Sequence, residues 1–253
     1  MKFTFLGTGT SQGVPVIACP CPVCQSADPH DQRLRTSGLL SGPEGTLVLD
    51  AGPDFRQQML RHGVTRLDAV VLTHSHKDHI AGLDDVRAFN YLQNMDMPVY
   101  GNAHALEQVQ REFAYVFEEN PYPGVPKMVL HTLNEAPFVA AGMELTPVPV
   151  QHGNLPVLGF RTGDFAYVTD AKVIPHRSME LLAGVKVLVL NALRKTPHHS
   201  HLTLDEAIAI GDALQVNALY LTHISHLLGF HAEVSADLPG GVHLAFDGLV
   251  LEV

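Results

Sequence analysis

Residues 69–79 read Ala69-Val70-Val71-Leu72-Thr73-His74-Ser75-His76-Lys77-Asp78-His79. An apolar run with the character of a buried strand gives way to four metal-binding side chains within six residues. Just past a strand end, His74 and His76 can point the same way across a tight turn. Asp78 and His79 then point toward a second position nearby. Imidazole and carboxylate suit zinc, manganese or iron, and one pocket of this kind can hold two ions. A solvated turn gains nothing in packing from such a cluster, so the segment reads as a metal site.

The same pattern recurs along the chain. Phe165–Thr169 runs into Asp170 and Ala218–Thr222 into His223, so ligand-type residues stand where apolar strands stop. In α/β sheets functional groups collect at such ends, because loops converge there while strands fix their origins. Strands are also expected at Lys2–Leu6, Leu47–Asp50, Val99–Gly101 and Lys186–Leu190, with a turn at Gly-Pro-Glu-Gly 42–45. Helices are expected at Phe55–His62, His79–Leu92, Ala105–Phe117 and Leu204–Leu214, the last opened by Thr203 with Asp205 and Glu206 behind it. Pro121, Pro123 and Pro126 mark a loop. The alternation predicts an α/β layered fold. The matching endings Val-Leu-Thr-His and Tyr-Leu-Thr-His hint at a duplicated half.

With 253 residues, 46% of them hydrophobic and 17% charged, the chain can bury a sizeable core. It is expected to form one domain over residues 1–253. The net charge of −10 repels polyanions and makes extended nucleic acid a poor partner. No apolar run reaches the roughly 18–20 residues of a membrane span. The opening Met1-Lys-Phe-Thr-Phe is interrupted too soon for a signal peptide, so a cytoplasmic location is expected. All three cysteines lie between Cys19 and Cys24. Three clustered thiols cannot all pair within the chain, and a reducing compartment disfavours disulfides, which leaves metal binding.

The pattern H-x-H-x-D-H after an apolar strand resembles the signature of the metallo-β-lactamase superfamily, whose fold is a four-layer αββα sandwich. The resemblance implies that His74, His76 and His152 hold one divalent ion. Asp78, His79 and His223 would hold a second, with Asp170 bridging both. Asp50, in Leu-Val-Leu-Asp-Ala-Gly, matches a buried aspartate that orients the metal-binding loop. Cys19-Pro-Cys-Pro-Val-Cys24 resembles the cysteine cluster of the phosphodiesterase branch associated with the carbon–phosphorus lyase pathway. There a histidine three residues after the last catalytic one completes a structural zinc site, a place matched by His226. His201 matches a histidine that assists catalysis, with His198 and His199 as close competitors, and Asp78 counts with it among the catalytic residues. The resemblance extends over Gly7-Thr-Gly-Thr-Ser-Gln-Gly-Val-Pro15 and Phe246-Asp-Gly248 and so covers essentially the whole chain.

The implied activity is hydrolysis of a small, cyclic phosphodiester by a metal-bridging hydroxide. The implied cofactors are two Mn²⁺, Zn²⁺ or Fe²⁺ ions and one structural Zn²⁺, and the implied assembly is a homodimer. Three other readings use the same signature: a tRNA 3′-processing endonuclease, a thioesterase or lactamase attacking a carbonyl, and a quinone-cofactor biosynthesis relative. The charge and the lack of a basic arm stand against the first, and Cys19, Cys21, Cys24 and His226 are unexplained by the second. A non-catalytic metal sensor is a further alternative, opposed by the completeness of the ligand set.

Overall fold

Along β1 (Lys2–Gly7), Phe3 and Phe5 project to one side and Leu6 to the other, and all three are buried. A strand apolar on both faces must be covered on both, which requires layers above and below it. The computed structural model describes all 253 residues and supplies those layers. β1 joins β2 (Ser37–Ser41), β3 (Thr46–Leu49), β4 (Ala69–Val71), β5 (Met97–Gly101) and β6 (Met128–Thr132) in one sheet. A second sheet holds β7 (Phe138–Ala140), β8 (Met143–His152), β9 (Leu155–Thr162), β10 (Phe165–Val168), β11 (Val187–Asn191), β12 (Ala218–Thr222) and β13 (Val242–Leu244). The last strand, β14 (Val250–Glu252), returns to pair with β1.

Each sheet is antiparallel on one side and parallel on the other. The change falls at β3, which pairs antiparallel with β2 and parallel with β4, and at β10, which does the same between β9 and β11. The two halves thus repeat one plan, as the paired Leu-Thr-His endings suggest. Phe3, Phe5, Leu47, Leu49, Val71, Phe160, Tyr167 and Val189 fill the space between the sheets. Phe3 meets Phe165 at 4.8 Å and Tyr167 at 5.5 Å between ring centroids.

Outside the first sheet lie α1 (Phe55–Arg61), the single turn α2 (Lys77–Ile80), α3 (Arg87–Gln93) and α4 (Ala103–Glu112). Phe55, Met59, Phe89, Leu106 and Val109 pack there on Leu6, Val48, Val70 and Val99. Outside the second lie α5 (His176–Leu182), α6 (Leu204–Leu214) and α7 (His231–Asp237), whose Leu182, Leu204, Ala207 and Val234 cover Val168, Leu188, Leu190 and Leu221. The fold is therefore the four-layer αββα sandwich. No helix is long and apolar enough to cross a membrane.

Two helix expectations are corrected: the helix expected over Ala105–Phe117 stops at Glu112, with a 3₁₀ turn at Ala114–Val116, and the one expected over His79–Leu92 is broken. Residues 79–92 are not continuous: α2 ends at Ile80, a 3₁₀ turn covers Leu83–Val86, and α3 begins at Arg87. The break sits at Gly82, where a Cβ would stand 2.1 Å from the Gly52 carbonyl oxygen. Backbone here lies directly on backbone, and Gly82 N–H donates to Ala51 O at 2.8 Å. Tertiary packing overrides the apolar period. The long β8–β9 hairpin, whose first strand ends at His152, has no counterpart among the expected strands.

Candidate metal centre

The site gathers at strand ends, and its backbone is unusual there. Asp50, Asp170 and His223 follow β3, β10 and β12, and each adopts a left-handed conformation, with φ of 65°, 57° and 55°. Non-glycine residues rarely do so, and such strain clusters at functional sites. It turns each side chain off the end of its strand into one cavity.

The segment 74–79 is held from beneath. Gly52 lies so close that a Cβ would be 1.9 Å from Asp78 O, and Ala51 N–H donates to His79 O at 2.8 Å. This is why Leu-Asp-Ala-Gly precedes the metal loop in space. Asp50 is fully buried and accepts from Thr73 N–H (2.8 Å), the Thr73 hydroxyl (2.8 Å) and His79 Nδ1–H (2.7 Å). Since the Thr73 hydroxyl donates to Asp50, it accepts from His74 Nδ1–H at 2.9 Å. One carboxylate thereby sets the tautomers of two imidazoles and leaves Nε2 of each free for a metal. His152 is set likewise, donating from Nδ1 to Ser200 O at 2.7 Å.

Around Asp170 the free atoms converge. His79 Nε2 lies 3.2 Å from Asp78 Oδ2 and 3.4 Å from Asp170 Oδ2, and His223 Nε2 lies 3.3 Å from Asp170 Oδ1. The ligand atoms of His74, His79 and Asp170 lie within 4.8 Å of one another, as do those of Asp78, His79 and His223 and those of His152, Asp170 and His201. His76 is exposed at the mouth, its ring 4.7 Å from that of His74 and 5.1 Å from that of His152. His201 is buried beside them, with Nδ1 3.7 Å from Asp170 Oδ1. His199 is exposed and His198 only partly buried, so neither competes with His201 for the interior.

The donor set fits divalent cations. His74 Nε2 and His79 Nε2 are buried without any hydrogen-bond partner, a costly state that a metal relieves. Burial holds His74 well below its usual range and lowers His76 and His223, so these rings are neutral, the ligating form. Burial alone would raise Asp170, but the positive charge held on His79 keeps it well below the usual carboxylate range, fully ionised. Burial would lower His79, yet Asp78, Asp50 and Asp170 hold it well above. That reversal marks a point that demands positive charge, which a divalent cation meets.

A second cluster lies beyond His223. Cys19, Cys21 and Cys24 place their sulfurs 3.4, 3.2 and 3.5 Å from His226 Nδ1. Ligands at about 2.3 Å (sulfur) and about 2.0 Å (nitrogen) on a tetrahedral zinc stand about 3.5 Å apart, so this arrangement suits the ion. Cys24 N–H donates to Cys21 Sγ at 3.4 Å, and this bond with that of His226 pulls the Cys21 thiol down to about 6. Burial pushes Cys24 up to about 11.

The sequence pattern described as "Beta-lactamase superfamily domain" matches residues 46–224, from β3 past His223. The chain belongs to the metallo-β-lactamase superfamily. Within that superfamily it is similar to the PhnP family. A crystal structure described as a new diphosphatase from the PhnP family shares 42% identity at a TM-score of 0.93, covering 100% of this chain and 97% of that one. An octanoyltransferase of Porphyromonas gingivalis is 40% identical over 252 residues, 98% of this chain but 51% of that protein. The chain thus spans about half the length of that curated relative. Zn²⁺-bound PqqB from Methylobacterium extorquens shares the fold at 20% identity and a TM-score of 0.79, with 100% of each chain covered.

Sequence reasoning missed several residues that build this superfamily site. Asn191 is fully buried; its Oδ1 accepts from Ala171 N–H at 2.7 Å and its Nδ2 donates to Ala171 O at 3.0 Å, fixing the loop after Asp170. An amide ending the apolar run Val-Leu-Val-Leu-Asn was the available signal. Thr73 had one too, standing between strand and ligands. Ser200 acts through its carbonyl and had none.

Proposed function

We propose that residues 1–253 act as a single dinuclear metal-dependent phosphodiesterase, cleaving a small phosphodiester, cyclic phosphates among them. The observation that carries this is the convergence of the Nε2 atoms of His74, His79 and His223 and the Asp78 carboxylate on Asp170. His74, His76, His152 and Asp170 would hold one ion, and Asp78, His79, His223 and Asp170 the other. Zn²⁺, Mn²⁺ and Fe²⁺ all accept this set. The Cys19, Cys21, Cys24 and His226 cluster would hold a structural Zn²⁺. The PhnP-family relative described as a diphosphatase supports attack at phosphorus over attack at a carbonyl.

When bound, the two cations supply Lewis acidity and lower the pKa of water toward about 7. The chain's own groups do the rest. Asp170 would serve both positions, and Asp50 keeps His79 and, through Thr73, His74 in register. Burial pushes His201 down to about 2, and a nearby cation would push it further. The ring therefore stays neutral and offers an N–H to the departing oxygen. A small, soluble ester is the partner, and the −10 charge argues against an extended polyanion.

A substrate panel tests the reading: bis-p-nitrophenyl phosphate, 2′,3′-cyclic nucleotides, a ribosyl cyclic phosphate, a thioester and a β-lactam. Turnover confined to the phosphodiesters is expected. Activity on the thioester or lactam alone would overturn it.

A further inference from the structure

The turn from Gly9 to Gly13 borders the metal centre, and the proposed ligand set makes no use of it. Its backbone is tightly held. Thr36 donates to Gly9 O from both N–H (2.9 Å) and hydroxyl (2.7 Å), and Gly9 N–H donates to Leu34 O (2.8 Å). Thr10 N–H donates to Ile224 O (3.1 Å), and Gly13 N–H donates to Thr10 O (2.8 Å). A Cβ at Gly9 would stand 2.9 Å from Arg33 O, so the chain approaches closer here than other residues allow. Thr10 is thus fixed beside the residue that follows β12.

Thr10 is 9% exposed, and its Oγ1 lies 3.2 Å from His223 Nε2, its one hydrogen-bond partner. That nitrogen faces the cluster, because it also lies 3.3 Å from Asp170 Oδ1. A hydroxyl has a single proton to donate. With the Nε2 lone pair committed to a cation, the hydroxyl has no acceptor left on the protein. A nearly buried donor without an acceptor is costly, and the acceptors a loaded site brings within reach are oxygens of the bound ester.

We propose that Thr10 is a substrate-binding residue whose hydroxyl donates to a non-bridging phosphoryl oxygen on the His223 side of the centre. The assignment rests on the phosphodiesterase reading above. It assigns to Gly7-Thr-Gly-Thr10 a role in binding, beyond shaping the end of β1. A hydrogen bond to a charged oxygen of this kind corresponds to about 10- to 100-fold in binding or rate.

Inorganic phosphate is the probe, titrated calorimetrically into metal-loaded wild type, Thr10→Val and Thr10→Ser. Metal per chain and turnover of bis-p-nitrophenyl phosphate are measured alongside. Thr10→Val should keep its metal, bind phosphate about 10-fold or more weakly, and turn over about 10- to 100-fold slower. Thr10→Ser should stay within about threefold of wild type on both counts, because the donor remains. Unchanged phosphate affinity in Thr10→Val overturns the assignment. So does loss of an ion from that variant, which would make the hydroxyl a support for His223. Should Thr10→Val not fold, Thr10→Ala is read on the same three measurements. A wild type that binds phosphate through Thr10 yet cleaves no phosphodiester would sink the proposed activity and leave the Thr10 assignment standing.

Discussion

The Asp50 carboxylate accepts a hydrogen bond from His79 Nδ1 at 2.7 Å, in a pair from which water is wholly excluded. The same carboxylate holds Thr73, which in turn holds His74. Asp50→Ala would leave three buried donors unpaired, at about 1–3 kcal/mol each. Loss of such an outer partner typically weakens metal affinity about 10- to 100-fold. Dialysis against graded chelator concentrations, with metal read by elemental analysis, should show that loss. Wild-type retention would mean that the pair carries no part of the site.

His201 lies against Asp170 and stacks at 4.8 Å on His223. His201→Ala should lower turnover by about 10²–10³-fold, the cost of losing one positioned donor to the departing oxygen, while both active-site ions stay bound. If the variant loses metal together with activity, His201 is a ligand and not a donor to the leaving oxygen.

Cys21→Ser should remove one ion per chain and lower folding yield more than it slows the molecules that fold. The reason lies in connectivity. The cysteine loop begins at the turn that binds Ile224, and its partner His226 lies three residues past His223. An unchanged metal count in a well-folded variant refutes the structural-zinc assignment.

Chelator-treated protein should lose stability as the pH falls below about 6.5. Burial lowers His74, His76, His201 and His223 in the folded state, so the unfolded chain takes up protons first. Stability present above the unfolded value is then lost on acidification. His79, held above its usual value, acts in the other window and costs stability only as the pH rises past about 6.5. Each fully buried group contributes up to about 1.4 kcal/mol per pH unit, and half-exposed His76 contributes less. Urea midpoints at about pH 5.5 and about pH 7 should differ accordingly, and His201→Gln should flatten the slope. Equal midpoints would show that these rings titrate normally.

The α/β alternation and the ligand-rich strand ends were legible because both are local, whereas the αββα sandwich was an expectation of the family likeness. Apolar period shows in a few residues, and His74, His76, Asp78 and His79 occupy one turn. Asp170 and His223 stood out at their strand ends, but their ligand roles, and His152 altogether, became expectations only through the family likeness, since one histidine or aspartate after a strand says little alone. The helix over 79–92 misled because its period was real while the obstacle, Gly52 beneath Gly82, lay 30 residues away.

By itself, then, the amino-acid order determined which segments are apolar strands or helices, and where chemistry-bearing side chains leave the strands. Tertiary structure alone decided which nitrogen of each imidazole is free, which threonine faces the phosphoryl position, and why Asn191 and Ser200 matter. Apart from Thr73 on His74, the hydrogen bonds that set those choices join residues 20 to 213 positions apart, some between neighbouring strand ends of one sheet and one, Thr10 to His223, between the two halves of the fold.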